Sequence, residues 1–188
     1  MAQNKPLILA SSSPQRKRLL KEAGIRFEVI PSHIPERNVG KDCRAVVLRL
    51  ALLKARAVAK RHPDRWVLGA DSLVYGKAQI LGKPKNVKDA LRILRLLNGS
   101  WSKVYTGVAL VNRRTRKELY GVAVSNVKTR RMPEEWILRY SRKHPDKAGG
   151  YAVQDHDDPF VQRVVGARDN VIGLPVALVK RLLAKAAI

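Results

Sequence analysis

The sequence predicts an α/β domain built around a central sheet, and three observations predict it. Short apolar runs of strand length alternate with longer amphipathic stretches along the chain. Pro, Gly, Ser and Asn stand where helices and turns should begin and end. The 188 residues, 45% apolar and 28% charged, suit one core-bearing domain over residues 1–188, and no repeat, low-complexity tract or linker divides it. A chain of this size buries roughly 70% of its unfolded surface, so it needs no disulfide or zinc to fold. Its single cysteine, Cys43, excludes an intrachain disulfide and a cysteine zinc site, and fits a reducing compartment.

Each element has its own signal. Leu7–Ala10 is a short apolar strand. Pro14–Ala23 reads as a helix, with Ser13 as N-cap, Pro14 at the first helical position and Gly24 just past the end. Phe27–Ile30 is a second strand. Asp42–Arg61 is a long helix with Val46, Val47, Leu50, Leu53 and Ala57 at helical spacing, stopped by Pro63. Trp66–Ala70 reads as a buried strand, and Leu73–Tyr75 and Gln79–Leu81 flank a hairpin turn at Gly76-Lys77. Val87–Leu97 is a helix opened by Asn86 and closed by Asn98-Gly99. Val104–Val111 and Glu118–Lys128 pair as strands across Asn112–Arg116. Pro133–His144 is a helix whose acidic first turn and basic last turn match the helix dipole. Pro175–Ala187 is a C-terminal helix.

Charge narrows the partners. With 38 Lys+Arg against 15 Asp+Glu, the net charge is +23. That surplus attracts polyanions such as nucleotides and nucleic acid. The basic residues are spread over the chain, and the 5% of aromatics do not interleave with them as stacking platforms. The composition therefore predicts non-specific nucleic-acid affinity rather than a dedicated interface. No apolar run reaches the ~20 residues of a membrane span, and Leu7–Ala10 is too short for a signal-peptide core. A soluble cytoplasmic protein without a membrane partner is expected.

Three segments carry chemistry. In Leu7–Arg16 a strand runs through Ser11, Ser12 and Ser13 into a helix. The free N–H groups of a helix start, three hydroxyls and an arginine one turn in make a phosphate cradle, and equally an ordinary capped helix. In Gly69-Ala70-Asp71-Ser72 the aspartate ends an apolar strand, where α/β sheets bind ligands. It reads as a metal ligand or proton acceptor, or as a turn cap. Lys83 sits between Gly82 and Pro84, placed for a phosphate or simply for a turn. This is no Walker A loop, because Pro84 stands where a Mg²⁺-binding hydroxyl belongs. Lys54 falls on the long helix, where a solvated face is the default. His156, among Asp155, Asp157 and Asp158, has the composition of a metal cluster, with a polar loop as the plainer reading.

Taken in order, these pieces resemble the Maf family of nucleoside triphosphate pyrophosphatases. The resemblance rests on Leu-Ala-Ser-Ser-Ser-Pro-x-Arg at 9–16, Glu36, Lys54-Ala55, Gly69-Ala70-Asp71 and Leu81-Gly82-Lys83-Pro84. It continues through Asn98-Gly99, Tyr105-Thr106-Gly107, Lys147-Ala148-Gly149, Tyr151, Gln154 and Gly173-Leu174-Pro175. It implies a long twisted mixed sheet flanked by helices, with a central cleft and a homodimer. It implies hydrolysis of a nucleoside triphosphate to the monophosphate and pyrophosphate with Mg²⁺ or Mn²⁺, and a link to septum formation. By resemblance Asp71 is the proton acceptor. Ser11, Ser13, Arg16, Glu36, Lys54, Lys83 and Gln154 bind substrate, and Glu36 and Asp71 hold the metal. Gln15, Ser72 and Gln154 are the specificity positions. Gln15 departs from the arginine or tryptophan usual there, and Ser72 from threonine or glutamine. Gln154 and Tyr151 favour the dTTP/UTP branch over the 7-methyl-GTP branch, while Asp155, Asp157 and Asp158 depart from a glycine-rich loop. The rival reading is a non-catalytic basic domain that grips nucleic-acid phosphates with the same cradle.

Overall fold

The computed structural model describes residues 5–35, 40–142, 148–150 and 159–188. Its strands are β1 (Leu7–Leu9), β2 (Phe27–Val29), β3 (Val67–Gly76), β4 (Gln79–Leu81), β5 (Trp101–Asn112), β6 (Lys117–Thr129) and β7 (Val161–Val165). Its helices are α1 (Pro14–Glu22), α2 (Cys43–Ala59), α3 (Val87–Leu97), α4 (Glu134–Tyr140), α5 (Arg168–Ile172) and α6 (Val176–Ala186). The strands join in one sheet of order β2-β1-β3-β5-β6-β7, with β4 paired to β3. The sheet is mixed: β1 is parallel to β2 and β3, while β4 runs antiparallel to β3 and β7 to β6. The expected α/β class is therefore correct. No helix among the described residues is long and apolar enough to cross a membrane.

The described residues form two compact units. The first comprises residues 1–71, 106–123 and 173–188. Its core sets Ile8, Val67, Ala109 and Val111 of the strands against Ala51, Ala55 and Val58 of α2. Two glycines set how close α2 lies. A Cβ on Gly69 would stand 2.2 Å from the Ala51 carbonyl oxygen, and one on Gly107 would stand 2.5 Å from that of Val47. No side chain fits at either position, so the helix backbone rests directly on the strands.

The second unit comprises residues 72–105 and 124–172. Ile93, Leu94 and Leu97 of α3 pack with Val74, Val104 and Val127 of the strands and with Tyr140 and Phe160. Trp136 stacks on Tyr140 at a centroid distance of 4.4 Å and on Phe160 at 5.6 Å. Buried Asn170 ties α5 to the strands, donating to the Val104 carbonyl and to Ser125 Oγ.

Several expectations need correction. Trp66–Ala70 and Leu73–Tyr75 belong to one strand, β3, because Asp71 and Ser72 continue it. The hairpin turn is Lys77-Ala78, with φ of 50° and 60°, and Gly76 instead pairs with Gln79. Gly76 is there for space, since a Cβ would lie 2.9 Å from Leu97. Helix α4 ends at Tyr140 rather than His144. Strand β7 had no clean period to reveal it: Val-Gln-Arg-Val-Val is a sheet-edge strand in which only Val161 and Val164 are half-buried. On α2, Leu53 is 40% exposed while Lys54 is 5% exposed, so the buried stripe lies one residue round from the one its large apolar residues suggest.

Candidate active site

In the first unit, β1 and β3 run parallel with Leu9 opposite Leu68. Ser11 follows two residues on along one strand, and Asp71 three residues on along the next. Ser11 lies past the C-terminal end of β1, where parallel sheets expose backbone groups and helix N-termini to ligands, whereas Asp71 lies in the middle of β3.

Helix α1 begins here because Ser13 accepts from the Arg16 amide at 3.5 Å while Pro14, which lacks an N–H, takes the first turn. Ser11 Oγ accepts from the Ser13 amide at 3.3 Å and from Arg16 Nη1 at 3.1 Å. Arg16 Nε donates to the Gly173 carbonyl at 3.0 Å. The guanidinium is thus oriented from two sides over the helix start. Gly173 was part of the sequence resemblance, but nothing in the sequence indicated that its carbonyl would hold Arg16. The Ser13 hydroxyl donates to Gln15 Oε1 at 3.0 Å, which ties the first of the specificity positions to the cap.

Asp71 and Lys54 meet in the same unit. Lys54 Nζ donates to Asp71 Oδ1 at 2.6 Å, and the side chains are 6% and 8% exposed. The expectation of a solvated Lys54 is overturned. Ala51 and Ala55 face the sheet because Gly69 admits them, and Lys54 lies on that same side of the helix. The Asp71 carboxylate is therefore charged-paired and buried, with Oδ2 accepting no hydrogen bond from the described residues. Ser72 is half-buried, and strand alternation sends its side chain to the opposite face from Asp71.

In the second unit Lys83 is exposed on the turn after β4. The Gly82 carbonyl accepts from the Gly149 amide at 3.1 Å, and Gly149 has φ of 77°, a left-handed conformation that favours glycine. A Cβ on Gly150 would stand 3.7 Å from Pro84 Cγ. The turn is thus held on both sides of Lys83. Glu36, Tyr151, Gln154 and the Asp155–Asp158 segment with His156 lie outside the described residues. Among the described residues no three His, Cys, Asp or Glu side chains cluster as a metal site. Cys43 is buried, and burial first, with the Asp42 charge second, pushes its thiol upward. That disfavours the thiolate a cysteine nucleophile requires.

A family profile described as "Maf-like protein" matches residues 6–186. The chain belongs to the Maf family. Among Maf relatives, a protein of Elusimicrobium minutum named dTTP/UTP pyrophosphatase is 48% identical over 177 residues, covering 94% of this chain and 96% of that one. A protein of the same name from Caldicellulosiruptor bescii is 42% identical, covering 96% and 94%. The Maf chain also shares its fold with a HAM1 protein from Coxiella burnetii, at a TM-score of 0.54 and 15% identity, covering 97% and 99%.

Proposed function

We propose that this Maf protein acts over residues 1–188 as one cytoplasmic nucleotide pyrophosphatase domain, hydrolysing dTTP and UTP to the monophosphate and pyrophosphate. The buried Lys54–Asp71 pair, beside the Ser11–Arg16 helix start, carries the reading. The shared name of the relatives at 48% and 42% identity supplies the substrate.

In this reading Asp71 orients a water molecule and takes its proton as the oxygen attacks the α-phosphorus. The new P–O bond forms as the bond to the β-phosphoryl oxygen breaks, and pyrophosphate leaves with the electron pair. Lys54 donates to Asp71 and so aims its carboxylate. In the first unit the phosphate charge falls to Arg16, with Ser11, Ser13 and the α1 amides as neutral donors, and Lys83 is a substrate-binding position by resemblance alone. A carboxylate with one oxygen uncommitted suits a hard divalent cation, which takes one or two carboxylates and completes its shell with substrate phosphates and water. Asp71, with Glu36 by resemblance, would hold Mg²⁺ or Mn²⁺, which would supply charge neutralisation at the phosphates. Gln154 and Ser72 are the base- or sugar-reading positions, Gln15 is a further specificity position by resemblance, and a homodimer comes from the same source.

The test is product analysis. The nucleic-acid-free protein is incubated with Mg²⁺ and dTTP, UTP, CTP, GTP, ATP, 5-methyl-UTP or 7-methyl-GTP. Monophosphate plus pyrophosphate from dTTP and UTP is the expected result. Turnover of 7-methyl-GTP alone would move the protein to the other branch. No turnover with Mg²⁺ or Mn²⁺ would leave the nucleic-acid-binding reading.

A further inference from the structure

The second unit carries an open pocket of about 460 Å³ that the proposed chemistry does not use. It is lined by Tyr75, Lys77, Trp101, Lys103, Asn126 and Val165, among others. Strand alternation fixes which face of the sheet this is. The missing Cβ of Gly76 points at Leu97 and Ser102, so Tyr75 next to it projects the other way. Val127 and Val164 pack into the core beside α3, so their neighbours Asn126 and Val165 also project away from that helix. The pocket lies on the sheet face that α3 leaves open.

Its chemistry is specific. Trp101 is 50% exposed and Val165 42% exposed, so the pocket presents apolar surface to solvent. Asn126 is directly across from Val165 in the β6–β7 register, and its half-buried side-chain amide makes no hydrogen bond among the described residues. Lys77 and Lys103 are exposed and form no ion pair among the described residues. A flat apolar ring, a neighbouring donor–acceptor amide and two rim ammonium groups match one kind of ligand: an aromatic base that carries phosphate. The volume falls within the range of small-molecule sites. A second copy of this chain fits poorly, because a two-fold contact would set the lysine rim against itself on a protein of net charge +23.

We propose that this pocket binds a pyrimidine nucleoside phosphate, its base stacked on Trp101, its edge bonded to Asn126 and its phosphate facing Lys77 and Lys103. The choice of a pyrimidine rests on the activity proposed above; the pocket's fit to a nucleobase does not. The ligand is a second nucleotide acting as effector, because the substrate's own base is assigned above to other residues.

Trp101 reports its own occupancy. The chain has three tryptophans, and Trp66→Phe with Trp136→Phe leaves Trp101 alone. Titration with UMP, which the enzyme cannot turn over, should quench its fluorescence saturably. Asn126→Ala should weaken UMP roughly two- to tenfold, the scale of one hydrogen bond. Lys77→Ala with Lys103→Ala should weaken UMP but leave uridine unchanged. Calorimetry of the natural protein against Trp101→Ala gives the same comparison without the double tryptophan background.

Purely competitive inhibition of UTP turnover by UMP, with one equivalent bound and no change in Asn126→Ala, would overturn the second site. A second equivalent of bound UMP that alters kcat for UTP and is lost in Asn126→Ala supports it. The proposal falls if UMP leaves Trp101 unquenched at millimolar concentration, or if the Asn126 and lysine variants bind UMP as the natural protein does. It also falls if Trp101→Ala dissociates a dimer while UMP affinity is unchanged. UMP binding in a protein that hydrolyses no triphosphate would sink the proposed activity and leave this site standing. Turnover with no effect at Trp101 would do the reverse.

Discussion

Lys54 Nζ and Asp71 Oδ1 lie 2.6 Å apart, on a helix and a strand that touch backbone to backbone at Gly69. Burying two opposite charges is costly unless each satisfies the other, so the pair is expected to matter more to what the site does than to net stability. The variants below separate those two contributions.

Asp71→Asn keeps the shape of the side chain and an oxygen able to accept from Lys54, but removes the base. Turnover should drop roughly 10²–10⁴-fold, the scale of general base catalysis, with circular dichroism unchanged. Near-normal kcat in a folded variant would take Asp71 out of the base role.

Lys54→Met removes one partner and leaves the Asp71 carboxylate buried alone. Breaking a buried pair in this way costs about 3–5 kcal/mol, so a fall in Tm of roughly 6–20 °C is expected for a chain of this size. Lys54→Met combined with Asp71→Leu should recover most of that loss while remaining inactive. A double variant as unstable as Lys54→Met would show that lost packing, rather than the unpaired charge, is responsible.

Gly69→Ala tests the close approach of α2. Its Cβ would meet the Ala51 oxygen at 2.2 Å, a backbone atom that cannot swing aside. The variant should lose about 1–3 kcal/mol or more and, by lifting α2, much of its activity. Gly24→Ala is the control. Gly24 has φ of 71° with nothing within 4 Å, so only conformational strain of about 1 kcal/mol is expected there, with activity intact. Equal melting temperatures for the two variants would contradict the packing argument.

A pH effect separate from the site comes from Arg56 and Glu118. Arg56 Nε and Nη2 donate to the two Glu118 oxygens at 2.8 and 2.7 Å. The hydrogen bond from Arg56 holds the Glu118 carboxyl below its ordinary 4.5. A carboxyl depressed on folding contributes stability above its unfolded value, and loses it as pH falls through the folded one. The pair is largely exposed, so a double-mutant cycle with Arg56→Ala and Glu118→Ala should give a coupling of about 0.2–1 kcal/mol at pH 7. That coupling should shrink as pH drops below 4.5 and fade in high salt. A coupling that persists in strong acid would mean that packing of the arginine stem, not charge, joins the two side chains.

Much of the molecule was legible in one dimension. The Ser13-Pro14 start of α1, the Asn86 cap of α3 and the α/β alternation rest on local backbone chemistry, which the sequence states directly. The ordered motifs around Ser11, Asp71 and Lys83 sufficed for the family. Where the sequence misled, the cause was a distant partner. Counting large apolar residues put Leu53 inside and Lys54 outside, because it could not register that Gly69 and Gly107 make Ala51, Ala55 and Lys54 the side of α2 that meets the sheet. Gly76 looks like a turn residue in the sequence, yet it makes room for Leu97. The hold of Gly173 on Arg16 joins residues 157 positions apart. The sequence alone determined which residue types are available and where the helices begin. Only the tertiary structure decided which of them share a site, because burial, pairing and orientation depend on atoms that approach through space from remote parts of the chain.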